Sequence, residues 1–367
     1  MKIYLSAYLN NNLGDDLMIS IICNRYKQHQ FYISNINNLT SVSFKPDNLV
    51  ILNSITPSKQ EVFKRGINKF LSFFNIPKYQ IIKHFNQKQY DLYLELGGSI
   101  FMQVTKRSWI NKVNDSSYIL SKCKNNAIVG CNFGPFQSEN FYFSYLKLFS
   151  RYDFISFRDY YSYKLFENLD HAHIFPDVVF NLNIKRKDCD RYIVVSVIGL
   201  NNRGLSGMQE QYLNSIIQLI KKIHSYYYKI VLMSFCKNEG DIATCFEIMK
   251  RGKFTGDNVE VFDHTNLDNT LQILGSSSAI VATRFHANIL ALLLSIPVLP
   301  IIYSKKTIQE LEDLSYSGYS WNVLEHEPLD MERAWEQLQS CPVFNKEKIG
   351  EAKGHFLYLD KILKYES

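Results

Sequence analysis

The sequence predicts an α/β protein of two doubly wound, Rossmann-like domains that face each other across a cleft. Three observations predict it. Short apolar runs rich in Val, Ile and Leu alternate with helical patterns along most of the 367 residues, as parallel strands covered on both faces by helices do. The alternation stops at a polar, charged segment, NLNIKRKDCDR at 181–191, and then restarts. Polar or glycine-bearing turns follow the strands, on the edge where open α/β sheets bind ligands. The chain is also too long for one small core. Domains are therefore expected at 1–185 and 190–330, with 331–367 a helical segment able to pack back on the first domain.

Each element follows from its local pattern. KIYLSAYL opens with a strand, NNNLGDD turns, and LMISIICNRY continues at helical spacing. NLVILNSI (48–55), YDLYLELGGSI (90–100) and NAIVGCNFGPF (126–136) read as buried strands. YDFISFRDYYSYKLF (152–166) is a strand, a polar break and a helix, and HIFPDVVF (173–180) is a short strand and turn. The second series starts at YIVVSVIGL (192–200), followed by an amphipathic helix at 208–227 and a strand, KIVLMSF, at 229–235. A helix (240–252), a strand (258–263) and a helix (267–277) come next. AIVATR (279–284), FHANILALLLS (285–295) and PVLPIIY (297–303) close it as strand, helix and strand.

Composition narrows the function. Hydrophobic residues make up 46% and charged residues 21%, an ordinary globular balance. A formal net charge of +6 without a dense Lys/Arg stripe argues against a nucleic-acid partner. It suits a small anionic substrate or an acidic membrane surface. The seven cysteines are scattered and form no CxxC, which points to a reducing compartment rather than disulfides or zinc. His171 and His173 lie in a turn without acidic neighbours and make no metal motif. No Walker loop or GxSxG is present. The N-terminal stretch has no signal-peptide core and no apolar run approaches ~20 residues. The expected location is cytoplasmic, with peripheral rest on the inner face of the cell membrane.

The candidate site residues all fall at strand ends. In NNLGDD, Gly14 permits a tight turn, and one of Asp15 and Asp16 is free to face a ligand while the other caps the helix. Gly97 and Gly98 end one strand, and Gly134 another, where glycine lets backbone approach a ligand or simply turn. Arg158 leaves its strand as a planar donor fork suited to carboxylate or phosphate. Asp177, in FPDVVF, reads as a structural turn residue. Arg284 and His286 sit where a strand becomes a helix, whose N-terminus itself attracts anions. Histidine is the side chain suited to proton transfer near neutral pH. Lys305 and Lys306 close the next strand. Cations, one histidine and one or two aspartates on one edge point to a small, multiply anionic substrate and a hydroxylic partner.

The ordered set NNLGDD, LELGGSIF, GCNFGPF, SFRDYYSYKLF, FPDVVF and ATRFHANILALLLSIPVLPIIYSKK resembles the polysaccharide pyruvyl transferase family over about residues 1–310. The most specific part is Arg284-x-His286 with Ala291, Pro297, Tyr303 and the lysine pair. The family's usual Gly-Asn-x-Gly-Asp is here Asn11-Asn12-Leu13-Gly14-Asp15. The resemblance implies a glycosyltransferase-B-like fold and no metal or organic cofactor. It implies transfer of a pyruvyl unit from phosphoenolpyruvate to two sugar hydroxyls, giving a cyclic ketal and free phosphate. The implied acceptor is galactose or a related hexose in a polyprenyl-diphosphate-linked capsular or exopolysaccharide precursor.

On this chain the resemblance implies that Arg284, Arg158 and a lysine of the Lys305–Lys306 pair hold the donor. His286 is the expected general acid, and Asp15 or Asp16 orients or deprotonates the acceptor. Asn12, Gly14, Gly97, Gly98 and Gly134 are the expected binding loops. The rival expectations are a sugar-nucleotide glycosyltransferase on the same fold and a non-catalytic carbohydrate-binding protein.

Overall fold

The computed structural model describes residues 1–35, 39, 41–53, 89–105, 108–187 and 189–365. Residues 54 and 55 of the expected second strand lie outside them. The first sheet holds β1 (Lys2–Ser6), β2 (Gln30–Asn35), β3 (Leu49–Asn53), β4 (Leu92–Phe101), β5 (Asn125–Phe133), β6 (Phe154–Phe157) and β7 (Ala172–Ile174). Their order is β3-β2-β1-β4-β5-β6-β7, and every paired neighbour is parallel. The second sheet holds β8 (Tyr192–Ser196), β9 (Lys229–Ser234), β10 (Val259–Asp263), β11 (Ala279–Ala282), β12 (Val298–Ile302) and β13 (Trp321–Asn322). Their order is β10-β9-β8-β11-β12-β13, again parallel.

Burial explains why these runs are strands. Ile193–Ser196 and Ala279–Ala282 are buried on both faces, so neither shows the alternation of a half-exposed sheet. Gln30–Asn35, absent from the expected elements, has only three apolar residues, Phe31–Ile33, between polar ends and is easily missed as a strand. The outer face of each sheet carries its own apolar cluster. A third cluster is shared, running from Leu13 and Leu17 through Phe235 and Leu267 to Ala287 and Leu290. The domains therefore meet through packed apolar surface as well as polar contacts. Backbone bonds Leu13 N to Phe235 O (3.1 Å) and Leu267 N to Ser43 O (3.0 Å) cross the same boundary.

The C-terminal segment divides. Helix Met331–Gln339 stays on the second sheet, where Gln337 Nε2 donates to the Val298 carbonyl at 3.1 Å. Helix Leu357–Leu363 lies on the first domain, where Arg25 forks onto Asp360 at 2.9 and 2.7 Å and the Tyr26 hydroxyl donates to it at 2.7 Å. Between them, buried His355 contacts the Ser156 hydroxyl at 2.8 Å and the Pro176 carbonyl at 2.7 Å. Burial pushes that imidazole down to about 4, so it is neutral at physiological pH and pins the residue preceding Asp177. No described helix is long and apolar enough to cross a membrane.

Candidate active site

Strand order reverses between β1 and β4 in one sheet and between β8 and β11 in the other. Such a reversal opens a crevice beyond the strands' carboxyl ends. Here the two crevices face each other and form one cleft of about 960 Å³. The first domain contributes Asn12, Asp15, Gly98, Ser99 and Arg158 to its wall; the second contributes Arg203, Glu239, Arg284, His286 and Lys306.

Asn12 caps helix Leu13–Arg25 by accepting from Gly14 N at 3.2 Å. Neither aspartate is the cap, contrary to expectation, because the amide one turn earlier already serves the free N–H. Asp15 lines the cleft. Burial, reinforced by the neighbouring Asp16, pushes its carboxyl up to about 8, so it carries a proton at neutral pH. Asp16 is wholly buried and points the other way. It accepts from the Ser43 hydroxyl, and its Oδ2 lies 3.1 Å from His264 Nε2 of the second domain. Asp16 is a structural tie between domains, not a cleft group.

Gly14 is not the turn residue expected. It is the second residue of the helix, and a Cβ there would come within 1.8 Å of His286 Nδ1. Glycine is required because the imidazole lies directly against the helix backbone. The His286 ring lines the cleft, while its Nε2 is buried, lacks a hydrogen-bond partner among the described residues and sits 3.7 Å from Asp177 Oδ2.

Asp177 is fully buried; it accepts from Arg158 Nη1 and from Val179 N, each at 2.8 Å. Burial works to raise its pKa, but the His286 imidazole and the Arg158 guanidinium outweigh it and hold the carboxyl well below the usual range. Asp177 therefore stays anionic beside the histidine. It closes a turn, as expected, and it also faces His286, which the sequence did not reveal.

The cations differ in how free they are. Arg158 is buried, bonded to Asp177 and to Asn132 Oδ1 (2.9 Å), with its guanidinium 4.5 Å from the Phe285 ring centre. Arg284 is also buried; Asp241 takes its Nε at 2.8 Å and its Nη2 at 2.5 Å, and Glu239 takes its Nη1 at 2.6 Å. It is not the open anion receptor expected, because two carboxylates already neutralise it. Lys306 makes no ion pair among the described residues and contacts the Ser99 hydroxyl and Met102 Sδ. Burial first, then Arg158 and Arg203, push its ammonium down to about 8.

Lys305 is exposed and lines no part of the cleft, because one step along the helix start turns it outward. One turn after Lys306, Glu310 is buried with Oε1 unpartnered among the described residues, and burial followed by the Asp177 charge pushes its carboxyl well above the usual range.

Of the glycines, Gly98 lines the cleft; a Cβ there would meet Asp15 Oδ1 at 3.1 Å. Gly97 instead packs beneath Met18, and Gly134 beside Phe136, so neither reaches the cleft. Sequence reasoning missed Arg203, Glu239 and Asp241. Arg203 follows β8 in NNRG, and Glu239–Asp241 follow β9, both at carboxyl ends of strands. The strand-end rule applied to β8 and β9 finds all three.

Two facing doubly wound domains with a cationic, histidine-bearing crevice at their paired switch points define a glycosyltransferase-B-like protein. The chain belongs to the polysaccharide pyruvyl transferase family, whose model matches residues 12–305. No curated protein matches the sequence. Among solved structures the chain is similar to UDP-GlcNAc 2-epimerase from Methanocaldococcus jannaschii, with TM-score 0.61, 11% identity and 100% of this chain and 99% of that chain covered. It is also similar to S. aureus MnaA in a co-structure with UDP, with TM-score 0.60, 12% identity and coverage of 99% and 96%. A third is Anabaena Alr3699/HepE in complex with UDP and glucose, with TM-score 0.54, 9% identity and coverage of 98% and 94%. At these identities the likeness is one of fold alone.

Proposed function

We propose that the protein transfers a pyruvyl group from phosphoenolpyruvate to two hydroxyls of a saccharide, forming a cyclic ketal and releasing phosphate. One observation carries the reading: His286, backed by the buried Asp177 anion, shares a cleft with the cation Lys306, which has no described counter-ion, and with the protonated carboxyl of Asp15. A proton source, an anion holder and a hydroxyl-binding group thus meet on one crevice.

The donor's negative groups lie toward Lys306 and the guanidinium edges of Arg158 and Arg284. His286 gives its proton to the donor's methylene carbon, C3, and C2 becomes electrophilic. Asp177 sets its charge 3.7 Å from Nε2 and orients the ring, without touching substrate. A sugar hydroxyl oxygen bonds to C2 and loses its proton to Asp15 in its ionised form, the minority form at neutral pH. A carboxyl titrating near 8 is a stronger base, once deprotonated, than an ordinary carboxylate. Phosphate then leaves C2 with the bonding electron pair, and the second hydroxyl closes the ring. Of the two hydroxyl protons, one balances that taken up at C3 and the other leaves with phosphate. The sequence of steps balances without a metal or organic cofactor.

The cleft of about 960 Å³ has room for a sugar beside a three-carbon donor. Its wall also holds Tyr8, Ser34, Asn35 and Asp115, polar groups that suit a hydroxylated ring. We read the acceptor as a hexose of a lipid-linked polysaccharide precursor, met by a cytoplasmic enzyme at the membrane face. The test is incubation with phosphoenolpyruvate and a panel of aryl and lipid-linked hexosides, following product mass and phosphate. Ketal-sized mass gain with equal phosphate release supports the reading. Release of nucleotide from a UDP-sugar instead, with no phosphate from phosphoenolpyruvate, replaces it with glycosyl transfer.

A further inference from the structure

Glu239 occupies a cradle of donors on the cleft wall. Its Oε2 accepts from Arg203 Nη2 and from Arg284 Nη1, each at 2.6 Å, and its Oε1 accepts from the Asn12 amide at 3.1 Å. Two donors come from the second domain and one from the first. Arg284 is held in place independently, because Asp241 engages its other two nitrogens. Its Nη1 is therefore fixed whether or not Glu239 is there. Arg203 is steadied by Tyr303, whose ring centre lies 5.5 Å from the guanidinium carbon.

Such a cradle has the chemistry of an oxyanion site: charge-assisted bonds from two planar forks and an amide. Of the two carboxylates on Arg284, the one that fills it is the more exposed. The Asp241 side chain is 0% exposed, whereas that of Glu239 is 23% exposed. Glu239 ends a three-residue turn, Lys237–Glu239, and the next residue, Gly240, has φ +92°. Glycine adopts that region without strain, which lets the turn set Glu239 two residues before the buried Asp241.

We propose that Asn12, Arg203 and Arg284 form a subsite for a phosphoryl or carboxylate group of an anionic ligand, and that Glu239 is an internal carboxylate which this group displaces. The proposal rests on the reading of the cleft as the donor site and adds how that site is kept closed. The exchange sets a threshold. A ligand with one anionic group replaces one carboxylate by another and gains little. A ligand with two, reaching Lys306 as well, gains the second contact. Glu239 thereby favours doubly charged donors over the single carboxylates of the cell.

Calorimetric titration of wild type, Glu239→Gln and Arg203→Ala with inorganic phosphate, and separately with phosphoenolpyruvate, tests the idea. Glu239→Gln is expected to bind both about tenfold tighter than wild type, and Arg203→Ala about tenfold weaker. Glu239→Asp, whose shorter carboxylate reaches the forks less well, should fall between wild type and Glu239→Gln. Circular dichroism confirms that each variant is folded. If Glu239→Gln binds phosphate no tighter than wild type, or no probe binds any folded variant, the subsite is overturned. Tighter phosphate binding without phosphoenolpyruvate binding keeps the subsite and removes the donor reading. Phosphoenolpyruvate binding equal in all variants does the reverse.

Discussion

The two switch points that form the cleft differ in charge. The first, at β1 and β4, presents Asn12, Gly98, Ser99 and Asp15, whose carboxyl is protonated at neutral pH. The second, at β8 and β11, presents Arg203, Arg284 and His286, with Lys306 beside it after β12. One side offers neutral hydrogen-bonding groups, the other cations, the Glu239 carboxylate between two of them, and an imidazole. The difference divides labour: hydroxyls suit the first side and a multiply charged donor the second. Arg158 is the exception, a cation from the first domain, but it is paired with Asp177. That pair faces His286 and so serves the second side.

Removing the imidazole breaks the comparison most severely. His286→Ala is expected to lower turnover by about 10³-fold, within the range for loss of a proton donor. Phosphoenolpyruvate affinity should change by less than about threefold, because the cations remain. Phosphate release and calorimetry on the same preparation check both. Undiminished turnover would remove His286 from the chemistry.

Gly14→Ala attacks the contact between the two sides and is expected to come next. A Cβ 1.8 Å from Nδ1 cannot be accommodated, so the ring must leave Asp177 or the domains must part. Misplacement on this scale costs about 10²-fold in rate. A kcat close to wild type would show that the ring does not depend on this contact. Asp177→Asn should share the direction, since an amide puts no charge beside the ring and forms no ion pair with Arg158.

Much of this division was legible in the sequence. The restart after residues 181–191 marks two α/β units, and the strand-end rule put Arg158, Arg284, His286 and the Lys305–Lys306 pair on one edge. Strand ends fix a residue's neighbourhood but not its partners. Arg284 reads as an open receptor because Glu239 and Asp241, which neutralise it, lie 45 and 43 residues away in sequence. The choice between Asp15 and Asp16, or Lys305 and Lys306, depends on a rotation of one residue about a helix, which spacing alone does not set when the cap is unknown. Gly14 looked like turn chemistry because its reason, the ring of His286, belongs to the other domain.

Lys306 tests the cationic side by pH. Its ammonium is pushed down to about 8, so it loses charge at a pH where an ordinary lysine keeps it. Phosphoenolpyruvate affinity in the free enzyme should therefore fall about tenfold per unit above pH 8. Lys306→Arg, which stays charged, should carry affinity unchanged to about pH 10. A wild-type affinity flat across that range would mean that Lys306 does not hold the donor.

Asp15 tests the neutral side, with the smallest effect and in stability. Its carboxyl titrates near 8 in the folded protein, against 3.8 for an unperturbed aspartate. A raised folded pKa means that the native state binds the proton more tightly than the unfolded chain. The resulting stability is complete below about pH 4 and is lost as pH rises toward 8. An amide in its place has no such proton to lose, so Asp15→Asn should gain on wild type through that window. At pH 8.5 the gain is expected at about 1–2 kcal/mol, and at pH 4 close to none. Thermal unfolding of both proteins at the two pH values reads the difference directly. An advantage of the same size at both would show that the carboxyl is not held protonated, and the first switch point would then be as charged as the second. Turnover should fall in the same variant, because an amide cannot take the hydroxyl proton. A more stable and slower enzyme is the expected signature of a carboxyl buried for its chemistry rather than for the fold.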